Sequence, residues 1–286
     1  GAGRQAGSNP TWSREVALLM KLSYDLHLHS CLSPCGAEAM TPGDMASMCA
    51  LAGLDVVALT DHNTAGNCSS FVKAAKARGL VPLSGMELCT REEIHVVCLF
   101  ETPDEAMVFS EQVRAALPPF RNDPALFGPQ ILMDEWDGVL GEETALLSSA
   151  ADIGVDEVHN LVADLGGVAF PAHIDRPSFS LLSVLGTWDP SLGFPLAEIS
   201  RYCPPDFVSS HPDLSGVRII TNSDAHDLDQ IPDPVHFLEV QLPGPFWIGW
   251  LPGGDCRSLT VLFTFSPKTK PVYNEKISVQ LYPLTL

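Results

Sequence analysis

The chain has 286 residues, 45% of them hydrophobic and 18% charged, which suits one or two domains with a sizeable core and excludes a disordered chain. Asp and Glu number 35 against 16 Lys and Arg, a net charge of −19. That balance argues against a surface built to grip long nucleic acid, yet it admits a small phosphorylated substrate, because bound divalent cations reverse the sign locally.

Residues 1–19 read as an N-terminal extension, natural or added: they are rich in Gly, Ser and Asn, and Met20-Lys21 resembles a start. The apolar run Val16–Leu19 is too short for a signal peptide, and no stretch approaches the ~20 apolar residues of a membrane span. Ser23–Leu28 reads as a first strand. Thr41-Pro42 opens a helix that Gly53 closes. Leu54–Thr60 is a buried strand by its β-branching, and Ser69–Arg78 is a helix ended by Gly79. Leu80–Leu83 and His95–Phe100 are further strands.

Thr102-Pro103-Asp104-Glu105 combines a cap, a first-turn Pro and a Glu at the capping-box position, so a helix runs to about Leu117. Residues 118–150 are punctuated by Pro and Gly and read as an insertion. Val155–Leu165 is a helix ended by Gly166-Gly167, Val168–Ala172 a strand, and Pro195–Ser200 and Val217–Thr221 complete the series. Alternation of this kind implies a mostly parallel α/β sheet or barrel, in which ligands bind at the C-terminal strand ends.

The chemistry-bearing residues collect at those ends. His27 and His29 end the first strand, and Asp61-His62 the second. Glu87 follows the Leu80–Ser84 run, His173 and Asp175 follow Val168–Ala172, and Asp224 and His226 follow Val217–Thr221. His95 begins its strand, which a hairpin-like pairing after Leu88–Ile94 accommodates. His-x-His on a strand places both imidazoles on one face. Taken singly, such pairs are common, and a lone His62 or His173 is more often structural than a ligand. Together they form a mixed His and carboxylate set that suits Zn, Mn or Fe and exceeds what one ion accepts, so two or three divalent ions are implied. Clustered ions activate water and clamp an in-line displacement, the chemistry of phosphate-ester hydrolysis.

Tyr-Asp-Leu-His27-Leu-His29-Ser, Ala-Leu-Thr-Asp-His62-Asn, Gly-Met-Glu87, Pro-Ala-His173 and Asn-Ser-Asp224-Ala-His226 resemble, in order, the motifs of the PHP family, the polymerase and histidinol phosphatase domains. The resemblance covers about Lys21 to Leu242. It implies a distorted (β/α)7 TIM-like barrel with a trinuclear site. One ion would take His27, His29, Glu87 and Asp224. A second would share Glu87 and add His95 and His173, and a third would take His62, His226 and a ligand from the loop after the first strand. Where that ligand is usually His or Asp, this chain has Cys35. A thiolate there favours zinc or iron over manganese; Glu38 substituting, or a weak third site, are the alternatives. Glu87, Asp224 and His226 are the expected catalytic groups.

Arg176 and Arg201 are the candidate clamps for substrate phosphate, with pairing to surface acids as the other reading. Asp61 is expected to orient an imidazole, and Asp175 to do that or to bind metal. The expected enzyme is a stand-alone phosphoesterase acting on a small phosphorylated metabolite or nucleotide; the two alternatives are a noncatalytic, metal-stabilised accessory domain and a nuclease acting on short oligonucleotides. The eight Cys contain no Cys-x-x-Cys pair, which points to reduced thiols and a cytoplasmic protein. Residues 243–286 form an atypical tail, apolar at Phe246–Trp250 and Leu259–Phe265 and strand-like from Val272, with no role read from it.

Overall fold

Strand β1 (Leu18–Leu28) begins at Leu18 rather than at Ser23, and every other part of the fold is arranged around it. It belongs to a computed structural model that describes residues 18–242 together with two short strands, 260–263 and 279–282. After β1 come α1 (Pro42–Ala52), β2 (Val56–Leu59), α2 (Cys68–Ala77), β3 (Val81–Cys89), β4 (His95–Phe100), α3 (Pro103–Ala116) and α4 (Pro124–Phe127). Then follow β5 (Ile131–Met133), β6 (Val139–Glu142), α5 (Val155–Asp164), β7 (Val168–Pro171), α6 (Leu181–Leu185), β8 (Leu196–Ser200), α7 (Phe207–Ser210), β9 (Arg218–Asn222), β10 (Phe237–Leu242), β11 (Thr260–Phe263) and β12 (Val279–Tyr282).

Local chemistry accounts for the helix ends. The Thr41 side chain accepts from the Asp44 N–H, Pro42 occupies the first turn, and Gly53 leaves α1 at φ 87°. At α3 the Glu105 carboxylate accepts from the Thr102 N–H at 3.1 Å, closing a capping box.

The main sheet runs β10-β1-β2-β3-β4-β7, and β8 pairs with β9. Pairing is parallel for β1–β2, β2–β3 and β8–β9. It is antiparallel for β1–β10, β3–β4 and β4–β7, so the expectation of a mostly parallel sheet gives way to a mixed one. The cause is connection length. Thr90–Ile94 is too short to carry a crossover helix, so β4 folds straight back on β3, with Glu93 at φ 60° in the turn.

The sheet curls into a half-barrel. Its inner faces meet in one apolar cluster drawn from the strands of both sheets: Leu22, Tyr24 and Leu26 of β1, Ala58, Leu83, Val97, Phe170, Leu196, Ile220 and Leu238. Helices cover the outer face, where Leu28, Leu59, Met86 and Cys98 join Phe71, Phe109 and Val158. A parallel bridge between Leu28 and Ala225 links β1 to the end of β9.

The parity change along β1 positions the site. Leu22, Tyr24 and Leu26 point inward, but Leu28 points to the helix layer. A register shift against β2 between Asp25 and Leu28 produces the change, and it turns His27 and His29 into the barrel mouth.

Residues 118–150 hold α4 and the β5–β6 hairpin. They are pinned to the barrel by Asn67, which donates to Ile131 O and accepts from Met133 N, and by Asn63, which donates to Leu147 O and Ser149 O. The run Phe246–Trp250 lies outside the described residues, as does most of the tail; β11 and β12 pair antiparallel. No helix among the described residues is long and apolar enough to cross a membrane. All seven described cysteines are free.

Candidate metal centre

The strand ends bring all nine sequence-selected ligand candidates into one cluster. His27, His29, Glu87 and Asp224 form one group of mutually close ligand atoms; His62, Glu87 and His95 form a second, and His29, Cys35, His62 and His226 a third, each within 4.8 Å. His173 joins through Glu87, with Nε2 at 3.0 Å from Oε1. Glu38 is exposed and enters none of these groups among the described residues.

Glu87 is the centre. This buried carboxylate meets His27 at 3.4 Å, His29 at 3.3 Å, His62 at 3.1 Å, His95 at 2.9 Å and His173 at 3.0 Å. The second carboxylate, Asp224, lies 3.4 Å from His27 and 3.2 Å from His29. The two Nε2 atoms of His27 and His29 face each other at 3.1 Å. His226 stacks on His29 with centroids 4.3 Å apart and donates from Nδ1 to its neighbour's carbonyl, Asp224 O, at 2.8 Å.

The electrostatics follow from burying two carboxylates among imidazoles. Burial pulls the His27 pKa down, but Glu198, Glu87 and Asp224 outweigh it and hold it well above its ordinary 6.5. Burial pushes Glu87 up, yet His95, His27 and His62 bring it well below the usual carboxylate range; Asp224 is lowered in the same way, chiefly by His27 and His29. His62 is lowered by burial, and His226 is brought to about 4 by burial and then by His29. The pocket therefore concentrates negative charge that asks for a cation.

This donor set fits divalent metal. Nitrogen and carboxylate oxygen converge from the ends of six strands, β1, β2, β3, β4, β7 and β9, which suits zinc, manganese or iron. Several buried donor atoms also lack a well-aligned hydrogen-bond partner: His62 Nδ1, His173 Nδ1 and both Asp224 oxygens. Asp224 Oδ2 instead takes a guanidinium contact from Arg176 Nη2 at 2.6 Å. Cys35 is exposed at the rim; partial desolvation, then the charges of Glu87 and Asp224, push its thiol up to about 12. A cation beside it would work in the opposite direction.

A second layer holds the imidazoles. His27 Nδ1 lies 3.0 and 3.1 Å from the two oxygens of Glu198, a fully buried acid on β8 that the sequence reading did not single out. Asn222 donates to Glu198 at 2.6 Å, and the His173 N–H at 3.2 Å. The signal was present in Leu196-Ala-Glu-Ile-Ser: a lone acid in a buried strand needs a buried partner. Asp61 is expected to orient an imidazole. It acts one residue removed, accepting from Ser33 Oγ at 2.7 Å, while Ser33 Oγ lies 3.0 Å from His29 Nδ1. Asp175 accepts from Ser200 N and Oγ, both at 2.6 Å, which fixes the loop after β7 rather than an ion.

Of the two candidate clamps, Arg176 reaches the cluster at Asp224. Arg201 lies over the Tyr202 ring at 4.9 Å and donates to Gln230 O at 2.9 Å; Gln230 Oε1 in turn accepts from His226 N at 2.9 Å. Backbone strain concentrates at the mouth. Asn63, His173, Phe179 and Asp224 all hold positive φ, between 31° and 54°. His159, His211 and His236 pack elsewhere, against Phe194, Phe207 and Tyr24.

The sequence model of one family, the PHP domain, matches residues 25–162. No curated protein matches the chain. Among solved structures it is similar to the lesion-specific endonuclease EndoQ from Pyrococcus furiosus, at 18% identity and TM-score 0.54, over 74% of this chain and 50% of that one. The chain thus spans half the length of that endonuclease. It is also similar to a protein from Bifidobacterium adolescentis assigned as a metal-dependent phosphoesterase (19%, TM-score 0.51, 71% and 87% covered). A third is an amidohydrolase from Chromobacterium violaceum with bound sulfate (21%, TM-score 0.50, 75% and 90% covered). At these identities the likeness is one of fold.

Proposed function

The chain carries a PHP domain, and from that premise we propose that it hydrolyses a phosphate ester of a small compound at a centre of two or three divalent ions. The observation that carries this reading is the single buried carboxylate of Glu87 ringed by five imidazoles at 2.9–3.4 Å. An acid so placed has no structural need for five histidines, whereas a carboxylate shared between cations does.

In this reading residues 20–242 form the catalytic unit as a distorted (β/α)7 barrel, with 118–150 inserted and 243–286 as a tail. His27, His29, Glu87 and Asp224 would hold one ion, Glu87, His95 and His173 a second, and His62, His226 and Cys35 a third. Zinc, manganese or iron there would supply an activated water and neutralise the phosphate. The chain's own groups do the rest. Glu198 fixes a proton on His27 Nδ1 and leaves Nε2 aimed into the cluster. His226 keeps its proton on Nδ1 toward Asp224 O, which frees Nε2 as a lone pair at neutral pH. Arg176, held at the mouth on Asp224, is the guanidinium for substrate oxygens. The free cysteines fit a reducing compartment, and we assign the protein to the cytoplasm.

A phosphodiester is the second reading. The fold is shared with Endonuclease Q, solved with a 27-mer duplex carrying an abasic lesion at its active site, so net charge alone no longer sets nucleic acid aside. The test is a panel of phosphomonoesters, nucleotides and an abasic duplex, each assayed with Mn or Zn. Metal-dependent hydrolysis that disappears in His27→Ala, with the fold retained by circular dichroism, is the expected result. Undiminished hydrolysis in that variant would remove the site assignment.

A further inference from the structure

The loop from His173 to Ser180 carries two groups to the rim of the cluster. Arg176 contacts Asp224, and Phe179 stacks on His95 with ring centroids 4.8 Å apart and planes inclined by 28°. The loop is braced from within: Arg176 N donates to His173 O, and Ser180 Oγ donates to Arg176 O at 2.7 Å. It is braced from outside by Ile174 N on Glu198 O and His95 N on Phe179 O, at 2.8 and 2.9 Å.

Phe179 stands against two ordinary preferences. Its φ is 54°, a region where a bulky side chain costs roughly 1–3 kcal/mol. The residue is nonetheless 44% exposed, so the strain does not serve to bury it in the core. One face of the ring lies against His95, in a residue that is otherwise exposed. Among the described residues it is the one Phe, Tyr or Trp ring stacked on a cluster histidine. A strained backbone that presents an aromatic surface beside a buried charged centre is arranged for a ligand rather than for packing.

We infer that Phe179 is a specificity-determining residue, a stacking platform for the flat ring of a nucleotide whose phosphate enters the cluster beside Arg176. This rests on the phosphoesterase reading and narrows its substrate from phosphate esters in general to those bearing a base. Stacking of a base on an aromatic side chain contributes about 1–3 kcal/mol and tolerates any base, since all have a π-face. The platform therefore predicts a preference for nucleotides over sugar phosphates, with little preference among the bases.

The test compares adenosine 5′-monophosphate with ribose 5-phosphate, which share sugar and phosphate and differ by the base. Both are titrated into the full chain loaded with Mn, by calorimetry, so that turnover is not needed for a reading. The wild type is expected to bind the nucleotide at least ~10-fold more tightly. Phe179→Leu is expected to bring that ratio close to one, and Phe179→Trp to restore it. Metal content by elemental analysis shows whether either variant has disturbed His95. Equal affinities in the wild type, or a ratio that Phe179→Leu leaves unchanged at full metal content, would overturn the platform. Failure of every phosphate compound to bind or react would instead overturn the phosphoesterase reading itself.

Discussion

What surrounds each imidazole decides its charge and its orientation. Glu198 meets His27 from behind at 3.0 Å, and this charge, more than any other, offsets the cost of burying the ring. Glu198→Gln keeps an acceptor for the His27 Nδ1–H but removes the charge. Metal affinity is expected to fall ~10- to 100-fold in a titration, as for other partners of ligand histidines; an unchanged affinity would reduce Glu198 to a structural acid. Asp25 offers a pH test. Burial pushes its carboxyl up from 3.8 to about 6, against hydrogen bonds from the Ser223 and His27 backbone, and Oδ2 has no partner. A folded pKa raised above the unfolded one gives a contribution fully present below pH 4 and lost as pH rises through about 6. In metal-free protein, then, denaturant titrations should find the wild type losing roughly 3 kcal/mol relative to Asp25→Asn across that window. Parallel pH curves for the two would contradict it.

Elements decide whether those residues meet. The His-x-His pair was legible because period two puts both rings on one face, but which face depended on the irregularity between Asp25 and Leu28. No residue there announces a bulge: Asp25-Leu26-His27 contains neither Gly nor Pro. The caps at Thr41 and Thr102, and the strand beginning at His95, were legible because each rests on chemistry local in sequence. The antiparallel β4–β7 pairing was not, since it is set by what the curled sheet leaves free. The insertion was recognisable only as an irregular stretch; its anchoring is by side chains distant in sequence. Asn67 is fully buried and makes three such bonds, to Ser30 Oγ, Ile131 O and Met133 N. Asn67→Ala leaves the buried Met133 N unpaired, at about 1–3 kcal/mol, and leaves Ile131 O with the weak Cys31 thiol contact. Amide exchange over Ile131–Met133 is expected to speed up at least ~10-fold while β1–β3 stay protected. Uniform loosening of the whole sheet would show that the insertion is not a separable layer.

For the whole molecule, the fold is a scaffold that gathers buried negative charge and meets it incompletely with its own cations. The half-barrel delivers Glu87 and Asp224 from strands far apart in sequence, where imidazoles, foremost His27 and His29, and the Arg176 guanidinium face them. A bound cation should therefore stabilise the folded state by mass action, ~2.7 kcal/mol at a hundredfold excess over Kd. Chelation is expected to lower Tm by about 5–10 °C, and re-addition of Mn or Zn to restore it; an unaltered melting curve would mean that the fold does not depend on metal. The ordered motifs made the cluster legible because its residues sit at strand ends, where sequence neighbours are also spatial neighbours. The buried acid of Leu196-Ala-Glu-Ile-Ser signals that Glu198 needs a partner, but its partners His27 and Asn222, like the stacking of Phe179 on His95, are set only across the barrel. The central claim is that Glu87 lies between cations in one multinuclear centre. Elemental analysis of the saturated full chain tests it most directly: two or three ions per chain are expected, falling to one or none in Glu87→Ala. One ion or fewer in the wild type, or a count that Glu87→Ala leaves unchanged, would contradict it.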